Sequence, residues 1–240
     1  MRRPLAILAT LALTGGLLGS APSAHADTPD CTHPIDGFSD VELVLGITKT
    51  KTDEVGVYTL KGCDVDGATA VIKAPRTTYR IKLTKAPDDP TSPSNYWVGR
   101  LSLNPTKLRN GDAGVWPVTY QVTGDDAATG KLDGHVRRAT RATFDAGPEP
   151  VKNDTITYSG KLERADWAAS RYRGISRSVT VQTVPPGDHE YVDVATFRTR
   201  KDGTYRYTQK FPGPNSYWLA YAGTDVTAGL SSKPDHVDAS

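Results

Sequence analysis

The sequence predicts an all-β protein of two tandem β-sandwiches behind a cleavable leader, and three observations carry that expectation. Past Asp27 no window of helical length holds a sustained apolar stripe at the 3.6-residue period. Short runs rich in Val, Ile, Thr and Tyr recur along the chain, bounded by Gly, Pro, Asp and Asn clusters. The spacing of these runs favours sandwiches over any alternation of strand and helix.

In chain order, the first half reads as strands over residues 41–47, 55–60, 69–73, 79–84, 97–103 and 115–122. Pro117 has no N–H to give to a ladder, so it belongs at an edge or a bulge of its strand. The second half reads as strands over 142–145, 155–162, 178–183, 191–199, 205–211 and 217–221, with a short last strand near Val237. Between the halves, Gly147-Pro148-Glu149-Pro150 forces extended or turn backbone. The expected division is a leader over 1–26, one domain over 27–138 and a second over 139–240.

One hairpin has a readable register. With Lys201-Asp202-Gly203 as a three-residue loop and Gly203 in the left-handed region, Arg200 pairs with Thr204 and Phe197 falls opposite Tyr207. Ala195, Phe197, Tyr205 and Tyr207 then share a face toward a core, while Arg198, Arg206 and Lys210 share the other with Thr196 and Thr208. Arg198 directly opposite Arg206 is unfavourable unless an acid or an anion lies nearby. A solvated face with a neighbouring Asp or Glu is the simpler reading, and an anion-binding strip is the alternative.

Residues Met1 to Ala26 carry the marks of a secretory signal. Arg2 and Arg3 supply the positive end, and the apolar run from Leu5 to Leu18 is shorter than the ~20 residues that span a bilayer. Ser23-Ala24-His25-Ala26 is a small-x-small pattern, which sets cleavage before Asp27. Sec-type export of a soluble extracellular chain is expected, with no membrane insertion. Export would remove two of the 29 basic residues and leave 27 against 27 acidic ones. That balance gives no support to nucleic-acid binding, which normally needs a basic excess. The two cysteines, Cys31 and Cys63, read as one disulfide in an oxidising compartment.

The second half contains Gly147-Pro148-Glu149-Pro150-Val151-Lys152, Ile156-Thr157-Tyr158-Ser159-Gly160-Lys161-Leu162, Arg164-Ala165-Asp166-Trp167 and Trp218-Leu219-Ala220-Tyr221-Ala222-Gly223. With Tyr172-Arg173-Gly174, Gly203-Thr204-Tyr205 and His236-Val237-Asp238, these segments resemble actinobacterial secreted proteins carrying Ig-like β-sandwich domains. The first half is similar more weakly, through Val44-Leu45-Gly46-Ile47-Thr48-Lys49-Thr50-Lys51 and Asn110-Gly111-Asp112-Ala113-Gly114-Val115-Trp116. The resemblance implies tandem Ig-like or fibronectin-like architecture and export. It implies no reaction and carries over no binding residues.

No nucleophile elbow, zinc-protease motif, phosphate loop or dinucleotide motif is present, so no catalytic residue, metal ligand or cofactor is expected. His33, His135, His189 and His236 each stand alone, and Asp64-Val65-Asp66-Gly67 lacks the remaining ligands of a calcium loop. Asp88-Asp89 and Asp125-Asp126 read as solvated turns. Trp97 and Trp218 sit in apolar strand patterns and are expected in the core. Trp116, beside Pro117, and Trp167, in a polar stretch, are the places to look for an exposed platform. The candidate ligand surface is therefore Trp116, Trp167, Arg198 and Arg206. The expected function is non-catalytic binding of a cell-envelope component, a polysaccharide or another extracellular protein, with a carbohydrate-binding module as the alternative and an unrecognised hydrolase behind it.

Overall fold

The computed structural model describes residues 30–152, 154–185 and 189–238, so the leader and its cleavage site lie outside the described residues. The first half forms β1 (Ile35–Phe38), β2 (Glu42–Leu45), β3 (Lys51–Leu60), β4 (Gly67–Lys73), β5 (Thr78–Lys85), β6 (Ser94–Leu103), β7 (Gly114–Thr123) and β8 (Ala128–Arg138). The second forms β9 (Thr140–Lys152), β10 (Thr155–Asp166), β11 (Arg171–Gly174), β12 (Ser178–Thr183), β13 (Val192–Arg198), β14 (Thr204–Lys210), β15 (Asn215–Tyr221), β16 (Leu230–Ser231) and β17 (Asp235–Val237). Among the described residues the helical elements are two single 3-10 turns, Pro105–Lys107 and Asn110–Asp112, so the chain is all-β as expected.

Alternation of side chains builds each layer. In β7 the residues Trp116, Val118, Tyr120 and Val122 are buried while Val115, Pro117 and Gln121 face outward, which is the period of a half-buried strand. Pro117 lies one residue beyond the end of the β7 ladder with β4, where its missing N–H costs no bond on that side. The first half is one sheet in the order β1-β3-β6-β5-β4-β7-β8-β2, antiparallel except for the parallel β2–β8 pair. It folds over at β5, which pairs with β4 from Thr78 to Leu83 but with β6 only through Thr84 and Lys85. Folding brings Phe38 of β1 onto Tyr120 of β7, with ring centroids 5.1 Å apart. Leu45, Val55, Ile72, Leu101, Trp116 and Val136 fill the interior.

Strand β8 carries no clear strand period in the sequence because its Gly130 and Gly134 break the apolar alternation. Both glycines mark close approaches instead. A Cβ at Gly130 would lie 2.4 Å from the Phe38 ring, and one at Gly134 would lie 3.1 Å from Val41. The short strands β1, β11 and β16 carry too few residues to show a period.

In the second half, β9, β10, β11 and β14 form one sheet and β13, β12, β15, β16 and β17 the other. Ile156, Tyr158, Leu162, Val181, Tyr217 and Leu219 pack between them. The Lys201-Asp202-Gly203 loop forms as predicted: Arg200 N–H donates to the Thr204 carbonyl at 2.8 Å, and Gly203 has φ +83°. Its flanking strands, however, do not pair with each other. β13 joins β12, with Arg198 opposite Ser178, and β14 joins β10, with Arg206 opposite Ser159. The loop is an arch between layers, so Phe197 meets Tyr207 through the core, ring centroids 5.0 Å apart, instead of along a ladder. Arg198 and Arg206 consequently lie on the outer faces of different sheets, and the two-arginine strip does not exist. A short loop fixes its own hydrogen bonds but not which neighbours each of its strands chooses.

Ala139 alone separates β8 from β9, and the Gly147–Pro148 bond lies within β9 in the cis form. The two interiors remain distinct clusters, but the second half reaches into the first: Ala165 and Trp167, from the end of β10 and the turn after it, belong to it, and the partly buried Tyr172 and Val226 pack against it. Trp167 is 2% exposed and its indole N–H donates to the Leu45 carbonyl at 3.3 Å. Trp167→Ala should therefore destabilise the protein by about 3–5 kcal/mol, as for other buried aromatics, read by urea denaturation. Cys31 and Cys63 are disulfide-bonded across a separation of 32 residues. The double substitution C31S/C63S should lower stability by roughly 3–4 kcal/mol on the chain-entropy account, and a midpoint in urea unchanged from the parent would refute that.

Candidate functional site

At one end of the first sandwich, the β4–β5 turn and the two 3-10 turns enclose a cleft of about 530 Å³. Its floor is Trp116, carried inward by the alternation of β7, with the indole N–H donating to the Asp112 carbonyl at 2.7 Å. Tyr79, at the start of β5, stacks over it with ring centroids 5.9 Å apart and planes 10° from parallel. Leu103, Leu108 and Ala74 supply the apolar part of the wall.

Asp112 ends its 3-10 turn and turns back on it: the Arg109 N–H donates to Oδ2 at 2.7 Å. Arg76, at the tip of the β4–β5 turn, closes the ring by donating from Nε to Oδ1 at 2.8 Å and from Nη2 to Oδ2. The Asp112 side chain is 5% exposed and that of Arg76 42%. Hydrogen bonding by Arg76, helped by the Arg109 N–H, holds the Asp112 carboxyl below the usual range although burial pushes the other way. Burial, followed by the Asp112 charge, pushes the Tyr79 phenol up, so it stays a neutral donor. Around the rim stand Thr50, Thr77, Asn104 and Lys107; the two hydroxyls, the Asn104 amide nitrogen and the ammonium have no partner among the described residues.

The residues expected to form a ligand surface are scattered or covered. Trp116 is 1% exposed beneath Tyr79, because the inward phase of β7 outweighs the neighbouring proline. Trp167 is buried by the first sandwich, which its polar sequence neighbours concealed. A signal was present: buried positions in β10 are even-numbered through Leu162 and odd-numbered at Ala165 and Trp167, a change of phase that turns the strand end toward a different core. Trp97 is core as expected, its indole N–H donating to Thr59 Oγ1 at 3.1 Å. Trp218 is not: it lies half-buried on an outer face, edge-on to the exposed Tyr191 at 5.5 Å. Arg198 donates from Nε to Ser176 Oγ at 3.1 Å. Arg206 lines a separate open groove with Asp145, Glu149 and Asp235, which is the acidic setting expected for one arginine alone. The cleft residues Arg76, Tyr79 and Asp112 were missed, since an ion pair 36 residues apart leaves no local pattern.

Among the described residues, the one grouping of metal-ligating types is Cys31, Cys63 and Asp126, and its two thiols are spent in the disulfide. Asp126 accepts the Asp64 N–H at 2.6 Å and Asp89 accepts both the N–H and the hydroxyl of Thr91, so both acidic pairs serve turns.

No protein-family model matches the chain, and no curated protein does. Among solved structures, latent PorU from Porphyromonas gingivalis superposes on 86% of this chain with TM-score 0.31 and 14% identity. Red sea bream transglutaminase does so on 86% with TM-score 0.36 and 8% identity, and the amphioxus IgVJ-C2 molecule on 82% with TM-score 0.27 and 14% identity. The chain spans 20% of the PorU chain, 32% of the transglutaminase chain and 99% of the amphioxus one. At these scores and identities none bears on what this chain binds.

The Arg76–Asp112 pair has a pH signature. A carboxyl depressed in the folded state contributes stability that is complete above the unfolded carboxylate pKa of about 4 and is lost as pH falls through the lower folded value. Asp112→Asn should flatten the fall of Tm below about pH 4; thermal scans from neutral to acid pH with the parent's slope retained would exclude the pair as a source of acid sensitivity.

Proposed function

We propose that the protein is an exported, non-catalytic binding protein whose first-sandwich cleft holds a short stretch of a polyhydroxylated polymer of the cell envelope. The cleft's composition carries this reading. A pyranose presents an apolar face suited to the Tyr79 ring and hydroxyls suited to the unspent donors and acceptors of Thr50, Thr77, Asn104 and Lys107. Asp112, the sole carboxylate among the lining residues, is held ionised and engaged by Arg76 and the Arg109 N–H. Glycoside hydrolysis needs two carboxyls across the bond, so the arrangement favours binding over cleavage. The disulfide suits an oxidising compartment, and among the described residues no helix is long and apolar enough to cross a membrane. An extracellular protein is the second reading, favoured by the exposed Tyr191 and Val192 beside Trp218 on the outer sheet.

Envelope polysaccharides added to the protein should perturb Trp116 fluorescence, and Tyr79→Ala should weaken their binding at least tenfold with the fold retained by circular dichroism. Glycans that leave the emission unmoved, or a Tyr79→Ala protein that binds as well as the parent, would remove the reading. Protein recovered from culture medium should begin at Asp27; an N-terminus at Met1 would contradict export by cleavage.

A further inference from the structure

Where the two sandwiches meet, positive charge is packed without a matching acid. Arg138 closes β8 and is 8% exposed. Its backbone is clamped by the turn after β15: its N–H donates to the Val226 carbonyl at 3.1 Å, and its own carbonyl accepts from Ala228 N–H at 3.0 Å. Arg164, in β10, donates from Nη1 to Oγ1 of the fully buried Thr227 at 3.1 Å. Arg177, in the link from β11 to β12, donates from Nη1 to the Ser176 carbonyl at 3.1 Å.

What these groups leave unspent sets them apart from ordinary structural arginines. The Nε of Arg138 and the Nε of Arg177 are closed off from solvent and have no hydrogen-bond partner, and neither has the hydroxyl of Tyr221, a residue 5% exposed. The arginines also feel one another. Burial first, then repulsion from Arg164 and Arg177, lowers Arg138 to about 10, and burial followed by Arg177 lowers Arg164. Tyr221 and Asp166 oppose the shift of Arg164, and Asp166 that of Arg138. Asp166 is already engaged: it pairs with Arg173 at 2.7 Å and accepts from Asn110 Nδ2 at 2.8 Å and Ala169 N–H at 3.2 Å. Buried donors without acceptors, and like charges without a counter-charge, are both destabilising.

We infer that Arg138, Arg164 and Arg177, with Tyr221 and Thr227, form a binding site for one small oxyanion of the phosphate or sulfate type. Guanidinium forks suit an ion with several acceptor oxygens on one centre, and a hydroxyl donor completes such a shell. Arg138 comes from the first sandwich and the other four from the second, so a bound oxyanion ties the two together. Its place at the junction also separates it from the cleft, with which it shares no residue.

Thermal unfolding of the purified protein tests the site, with sodium phosphate or sulfate compared against sodium chloride at equal ionic strength. The oxyanions should raise Tm by several degrees in a saturable way, as expected of a ligand that binds only the folded state, and titration calorimetry should give one ion per chain. Arg164→Gln and Arg177→Gln should each lose most of that rise; if Arg164→Gln does not fold, Arg177→Gln, in a link and not a strand, decides alone. Arg138→Met should raise Tm in chloride, because an uncompensated buried charge is gone, while losing the response to oxyanion. Equal stabilisation by chloride and oxyanion, or a full response in Arg177→Gln, would each overturn the inference.

Discussion

Trp167 belongs to the second sandwich by sequence and to the first by packing. Its indole is almost wholly enclosed, with the N–H on the Leu45 carbonyl, and an aromatic of that size dominates the energetics of any interface it joins. The hydrogen bonds beside it extend the connection. Trp167 N–H donates to Asn110 Oδ1 at 2.9 Å, and Asn110 Nδ2 donates to Asp166 Oδ1 at 2.8 Å. Asn110 opens the 3-10 turn that ends in Asp112. The cleft is thus lined by the first sandwich alone, yet one of its walls is braced from the second.

Charge is handled in opposite ways on the two sides of that brace. In the cleft, Arg76 and Asp112 form a one-to-one fork with a third bond from the Arg109 backbone, so the carboxylate is satisfied. At the junction three arginines lie together, and the carboxylate that reaches two of them, Arg138 and Arg164, already serves Arg173. A balanced pair at a cleft lip shapes a surface, whereas an unbalanced buried cluster stores a demand for negative charge. Asp166 stands between them, bonded to the cleft's turn on one side and offsetting the arginines on the other.

Much of the fold was legible because burial alternates along each strand. The runs at 97–103, 115–122, 155–162 and 178–183 all fall within strands, and the Gly203 loop formed with its predicted bonds. Strand β8 escaped because Gly130 and Gly134 stand where side chains of Phe38 and Val41 take the room. The site was less legible than the fold. Trp116 and Trp167 were read from their sequence neighbours, and both are covered by residues distant in the chain.

The sequence by itself determined the all-β character, the strand periods, the disulfide partners and the local bonds of the Lys201-Asp202-Gly203 loop, since each depends on side chains a few residues apart or on there being two cysteines. Only the tertiary structure decided that β13 and β14 part to different sheets, that Trp167 enters the other sandwich, and that Arg76 finds Asp112 while Arg138, Arg164 and Arg177 find one another. Those outcomes turn on which distant surface lies over a residue, and burial and charge compensation are properties of that pairing, not of the residue.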